Sequence, residues 1–110
     1  MNRSVAEGAL PVVIGAHFDH LGRGEGHSSL ARVAERGAIH PGADDNASGV
    51  AGVLEAARVL GTRRYERTLL VACFDAEEYA LAGAIDYADR ARARGDDIRG
   101  ALILEMIGYT

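Results

Sequence analysis

His17 and Asp19 form an H-x-D pair directly behind an apolar run, Leu10 to Ala16. Asp44 and Asp45 stand side by side ahead of a second patterned stretch, Asp75, Glu77 and Glu78 follow a second apolar run, and Glu105 lies near the end of a third. Imidazole and carboxylate groups, with no useful thiolate among them, are the donors that hold zinc or another divalent transition metal in hydrolytic sites. Carboxylates crowded into a poorly solvated place repel, and they must take up protons or gather cations. A pair of metals about 3.5–4 Å apart needs one carboxylate that reaches both, and Asp45 is the natural candidate.

Each fragment also has a simpler structural reading. A histidine after a strand can serve the backbone alone, Glu77 and Glu78 would suit the first turn of a helix as dipole partners or caps, and the run from Asp44 to Gly49 could be a turn with an N-cap. Their shared position decides for a joint site. The apolar runs Leu10 to Ala16, Thr68 to Phe74 and Ala101 to Ile107 read as strands, and they are continuous rather than alternating, which suits a parallel sheet covered on both faces. The carboxyl ends of parallel strands share one edge, where ligands bind, so residues distant in sequence would meet there.

Helices are expected between the strands. Val50, Val53, Leu54, Ala57 and Leu60 recur at helical spacing with Glu55 and Arg58 on the other side, and Gly61 offers a stop. Leu81, Ala84, Ile85 and Ala88 form a second stripe, Asp86 and Arg90 an exposed pair, and Gly95 an end. Strand, helix and strand from Thr68 to Ile107 make a right-handed crossover unit, and the fold class is α/β. The glycine-rich stretch from Leu21 to Gly42 shows no periodicity and reads as a long loop of the kind that carries function or stays disordered.

Composition bounds the rest. The chain has 110 residues, 48% hydrophobic and 25% charged, which fits one globular domain and not two. Its cations are all arginine, and a net charge of -4 gives no electrostatic footprint for nucleic acid. No apolar run approaches the roughly 20 residues of a membrane-spanning helix, and no convincing signal peptide is present, so the compartment stays undecided. Cys73 is the single cysteine, which excludes an internal disulfide, and its apolar neighbours place it in the core. Oligomeric state is not legible.

The segments VVIGAHFDHLG, HPGADDNASGVAG, LLVACFDAEEYALAGA and LILEMIGY, in this order and spacing, resemble the M28 family of zinc-dependent metallopeptidases over nearly the whole chain. The family includes aminopeptidases, glutamate carboxypeptidase relatives and glutaminyl cyclases. The resemblance implies a three-layer sandwich with a mostly parallel central sheet, of the phosphorylase/hydrolase-like zinc exopeptidase type. It implies two zinc ions and a peptide substrate, with His17 on one ion, Asp45 bridging both, Glu78 on the other, and Glu105 completing the shell of the ion held by His17. Glu77 would be the general base, and Asp19 would hydrogen-bond the far nitrogen of His17 and fix its tautomer. A cis peptide is implied between Asp45 and Asn46.

The activity so implied is aminopeptidase, with carboxypeptidase, glutaminyl cyclase or a non-catalytic fragment of the family as alternatives. A further His ligand is implied on a loop well beyond the third strand, past Thr110. Residues 1–110 are therefore expected to be part of a single peptidase catalytic domain and to be inactive alone. Of the other polar groups, His20 either steadies the site or bonds the backbone, and His27 and His40 read as solvated. Asp75 reads as a turn cap, and Arg90, Arg92 and Arg94 as a solvated helix face.

Overall fold

The computed structural model describes residues 11–24 and 37–109. Expectations placed on Leu10, on His27 and on residues 25–36 of the long loop lie outside the described residues. The elements are β1 (Val12–His17), a broken turn (Ala43–Ser48), α1 (Gly49–Leu60), β2 (Leu69–Phe74), α2 (Ala82–Arg94) and β3 (Gly100–Ile103). The three strands form one parallel sheet in the order β2-β1-β3, so the fold is α/β. The unit from β2 through α2 to β3 does not join neighbours, because β1 lies between its two strands.

Position in the sheet decides how much of each apolar run is buried. The central strand β1 is covered on both faces, with Val13, Ile14, Ala16 and His17 all buried. On one face α1 inserts Val53 against Ile14 and Ala16, with Val50, Ala56, Leu60 and Leu104 around them. On the other face Phe74 of β2 meets the ring of Tyr87 of α2 edge-on, with centroids 5.5 Å apart. The flanking strands are less protected. Every residue of β3 is exposed, as are Val71 and Cys73 of β2, so Cys73 is not the core residue that its neighbours suggest. It pairs with Ala16 across the sheet, but α1 is centred over β1 and leaves that part of β2 open.

The helices differ in detail from their predicted stripes. Leu54 is 60% exposed, since the groove above β1 admits only the ridge through Val50, Val53, Ala56 and Leu60. Leu81 precedes α2 in a left-handed conformation, and both Leu81 and Ile85 are exposed. The inward face of α2 is instead Ala84, Tyr87 and Ala91, whose small residues let the Tyr87 ring reach Phe74. The Glu55–Arg58 and Asp86–Arg90 pairs lie on the exposed sides, and Gly95 closes α2 in the left-handed conformation as expected. No helix among the described residues is long and apolar enough to cross a membrane.

The third strand ends at Ile103 rather than Ile107. Leu104 still donates its N–H to the Gly15 carbonyl, but the chain then turns away through Met106 at φ 46°. At the middle of the sheet Gly15 is tightly enclosed: a Cβ there would lie 2.8 Å from the Phe74 ring and 3.0 Å from the Ala72 carbonyl oxygen. Gly15→Ala is expected to destabilise the fold by about 1–3 kcal/mol through overpacking. The urea unfolding midpoint should fall at unchanged slope.

Candidate metal centre

His17 ends β1, and its side chain is only 3% exposed. Its Nδ1 lies 3.1 Å from the backbone carbonyl oxygen of Asp19. A carbonyl can only accept, so Nδ1 carries the proton and donates it there. In the neutral ring this leaves a lone pair on Nε2. That nitrogen lies 3.1 Å from Asp45 Oδ1, 3.3 Å from Glu105 Oε1 and 4.0 Å from Glu77 Oε2. A lone pair facing carboxylate oxygens is unfavourable unless a proton or a cation lies between them.

Asp19 acts differently from its expected role. Its carboxylate sits 3.5 Å from His17 Nδ1, farther than its own carbonyl oxygen, and accepts the backbone N–H groups of Glu77 at 3.0 Å and Glu78 at 3.1 Å. The segment it holds is an irregular turn, with Ala76, Ala80 and Leu81 all at positive φ. Glu77 and Glu78 therefore do not stand in the first turn of α2, which begins at Ala82. Asp75 caps this turn by accepting the N–H of Ala76.

The turn Ala43–Ser48 departs from helical geometry at Asp45 and Asn46, and the peptide between them is cis. Alternate residues of this turn grip the loop after β3. Asp44 Oδ1 accepts the N–H of Gly108, Asn46 bonds Leu104, Glu105 and Met106, and Ser48 Oγ accepts the N–H of Ile107. Asp45, between them, is left to face His17. Ser48 makes no N-cap bond to α1; its hydroxyl donates to Asp44 instead. His20 accepts the Gly22 N–H and packs on Gly42, where a Cβ would come within 2.7 Å of its ring. The backbone reading of His20 is thus met, and its ring lies against the residue that opens the turn carrying Asp45.

Donor atoms of His17, Asp45 and Glu105 lie within 4.8 Å of one another, and among the described residues this is the one such group of three. Ligands held tetrahedrally at about 2.0–2.1 Å from a zinc ion stand about 3.3 Å apart. The two distances from His17 Nε2 match that spacing, and the imidazole and carboxylate types suit the ion. Glu78 lies outside this group. It is 1% exposed and borders, with Asp45, His40 and Met106, an open cleft of about 650 Å³. His40 is thus part of a cleft wall rather than fully solvated, and its Nδ1 is buried without a hydrogen bond. Asp44, Asn46 and Ser48 were not legible as clamps. The signal available was their alternate spacing in a polar segment.

Electrostatics express the same crowding. Burial disfavours the charged form of His17, but the hydrogen bond to Glu105 and the charges of Glu105, Glu77 and Asp45 outweigh it, and its pKa is raised. Burial raises the Glu77 pKa against the pull of His17, with repulsion from Glu105, Asp45 and Asp19 adding to it. Glu78 is pushed up to about 7, first by burial and then by Asp45 and Glu77.

Comparison with known proteins gives the arrangement its class. The profile of peptidase family M28 matches residues 3–110, and the chain belongs to that family. It is 34% identical to the uncharacterized protein YfbL of Escherichia coli (strain K12) over 94% of this chain and 30% of that protein. It is 34% identical to leucine aminopeptidase 1 of Sclerotinia sclerotiorum over 90% of this chain and 25% of that protein. A probable zinc metalloprotease of Pyricularia oryzae is 33% identical over 87% of this chain and 18% of its own length. The chain thus spans less than a third of each of these relatives. No solved structure matches at comparable significance.

The three raised pKa values fix the sign of a pH effect. In chelator-treated protein the folded chain binds protons more tightly than the unfolded chain at His17, Glu77 and Glu78. Stability is therefore lost as pH rises, for Glu78 between the ordinary carboxylate range and about 7, and for His17 as its raised pKa is passed. The thermal midpoint should be lower at pH 8 than at pH 5, and Glu78→Gln should shrink the difference.

Proposed function

We propose that residues 1–110 are part of a single catalytic domain of a zinc-dependent exopeptidase that removes amino-terminal residues from peptides. The observation that carries this reading is the convergence of Asp45 and Glu105 oxygens on Nε2 of His17 at zinc-ligand spacing. Family membership supports peptide hydrolysis, and the names of the fungal relatives support zinc and the aminopeptidase direction. The three-layer form of the zinc exopeptidase fold belongs to the same proposal, supported by α1 and α2 packing on opposite faces of the sheet.

In this reading His17, Asp45 and Glu105 hold one ion, and Asp45 with Glu78 holds a second. Asp45 is common to the His17 group and to the cleft that Glu78 borders, which supports its bridging role. Zinc, when bound, supplies Lewis-acid polarisation of the scissile carbonyl and an acidified water. Glu77, near His17 but outside the donor group, accepts the proton of the attacking water and returns it to the leaving amine nitrogen. Asp19 holds Glu77 and Glu78 in place through their backbone N–H groups.

Two measurements test this. Zinc added to the chelator-treated chain at 100 times its dissociation constant should stabilise the fold by about 2.7 kcal/mol. His17→Ala should abolish that gain in thermal unfolding. In the full-length protein carrying these residues, Glu77→Gln should lower kcat for an aminoacyl substrate by about 10²- to 10⁴-fold. Bound zinc, measured by atomic emission, should be unchanged. Loss of zinc with Glu77→Gln would make it a ligand rather than the base.

A further inference from the structure

Glu105 poses a positional problem. It lies beyond the end of β3, its side chain is 48% exposed, and no helix or strand fixes its carboxylate. A glutamate in such a place ordinarily samples many rotamers. Yet its Oε1 faces His17 Nε2, and its other oxygen accepts a hydrogen bond from Asn46 Nδ2 at 3.3 Å. Asn46 is 1% exposed and uses both ends of its amide. Nδ2 also donates to the Leu104 carbonyl at 2.9 Å, and Oδ1 accepts the N–H of Gly49 at 3.0 Å and of Met106 at 3.1 Å. Gly49 is the residue that makes room: a Cβ there would collide with Asn46 Oδ1 and lie 2.6 Å from the Leu104 carbonyl oxygen.

We infer that Asn46 is a positioning residue for the metal centre, holding the Glu105 carboxylate in its ligating orientation by clamping the loop around it to the start of α1. The inference rests on the zinc reading above and goes beyond it, because it assigns a role to a side chain that touches neither ion nor substrate. The division of labour within the amide makes it testable. The Oδ1 bonds hold backbone only, whereas Nδ2 reaches Glu105 itself. Asn46→Asp keeps the shape and the acceptor but replaces the donor with an oxygen that repels both Glu105 and the Leu104 carbonyl.

The experiment is a double-substitution cycle read by Co²⁺ titration of the chelator-treated chain, using the visible absorption of the ion, with folding checked by circular dichroism. Asn46→Asp is expected to weaken Co²⁺ binding by about 10- to 100-fold and to change the absorption band. In a Glu105→Ala background the same change should have an effect of less than about 2-fold, because the residue it acts through is gone. Equal losses in both backgrounds, or no loss in either, would overturn the inference. A second readout needs neither metal nor a substitution at Asn46, with the folding of Glu105→Ala again checked by circular dichroism. Asn2 and Asn46 carry the only primary amides of the sequence, so their side-chain signals are easily told apart. The Asn46 amide protons should exchange slowly in the unsubstituted chain and faster in Glu105→Ala; rapid exchange in both would defeat the clamp. If the unsubstituted chain takes up no Co²⁺, the zinc reading fails by itself, and the exchange measurement still decides the clamp.

Discussion

One hydrogen bond sets the chemistry of this centre. The Asp19 carbonyl accepts a hydrogen bond from His17 Nδ1, and in the neutral ring the opposite nitrogen then turns a lone pair toward Asp45 and Glu105. Without a positive charge in that space the arrangement is repulsive, and the groups around it hold protons tightly: burial first, and then their acidic neighbours, raise the pKa of Glu77 and Glu78, and the hydrogen bond to Glu105 with the surrounding carboxylates raises that of His17. A proton or a cation in that place would relieve the repulsion. The distances from His17 Nε2 to Asp45 Oδ1 and Glu105 Oε1, 3.1 and 3.3 Å, are close to the spacing of neighbouring ligands on a tetrahedral ion.

Holding mutually repelling groups together requires support from outside the group. His17 ends the central strand, the most deeply buried of the three described. Asp19 reaches across from the end of β1 to fix the Glu77–Glu78 turn, and the turn Ala43–Ser48 fixes the loop after β3. In that turn alternate residues serve different ends: Asp44, Asn46 and Ser48 grip backbone, and Asp45 is presented to the histidine. The loops are thus set by side-chain to backbone bonds rather than by regular secondary structure.

Much of this was legible in the sequence. Three apolar runs with functional groups at their carboxyl ends gave a parallel α/β sheet with a polar edge, and the motif spacing gave the family, which the profile match bears out. Burial on the flanking strands was not legible. Cys73 and Leu102 sit in runs as apolar as that of β1, yet both are exposed, because hydrophobicity along a strand does not say whether it is central or at an edge. The stripe of α2 was misplaced for a related reason: Leu81 and Ile85 are more hydrophobic than Ala84 and Ala91, but the Phe74–Tyr87 contact turns the smaller residues inward.

By itself the sequence determined which chemical groups exist, their order, and the periodicities that make strands and helices, since these depend on neighbours a few residues apart. Tertiary structure alone decided the partners. Asp19 bonds the N–H of Glu77 rather than chiefly the His17 ring, Asn46 reaches Glu105, and His40 borders the cleft of Glu78. Each of these relations joins residues far apart in the chain, and its geometry is fixed only once β1 lies between β2 and β3 and brings the three strand ends to one edge.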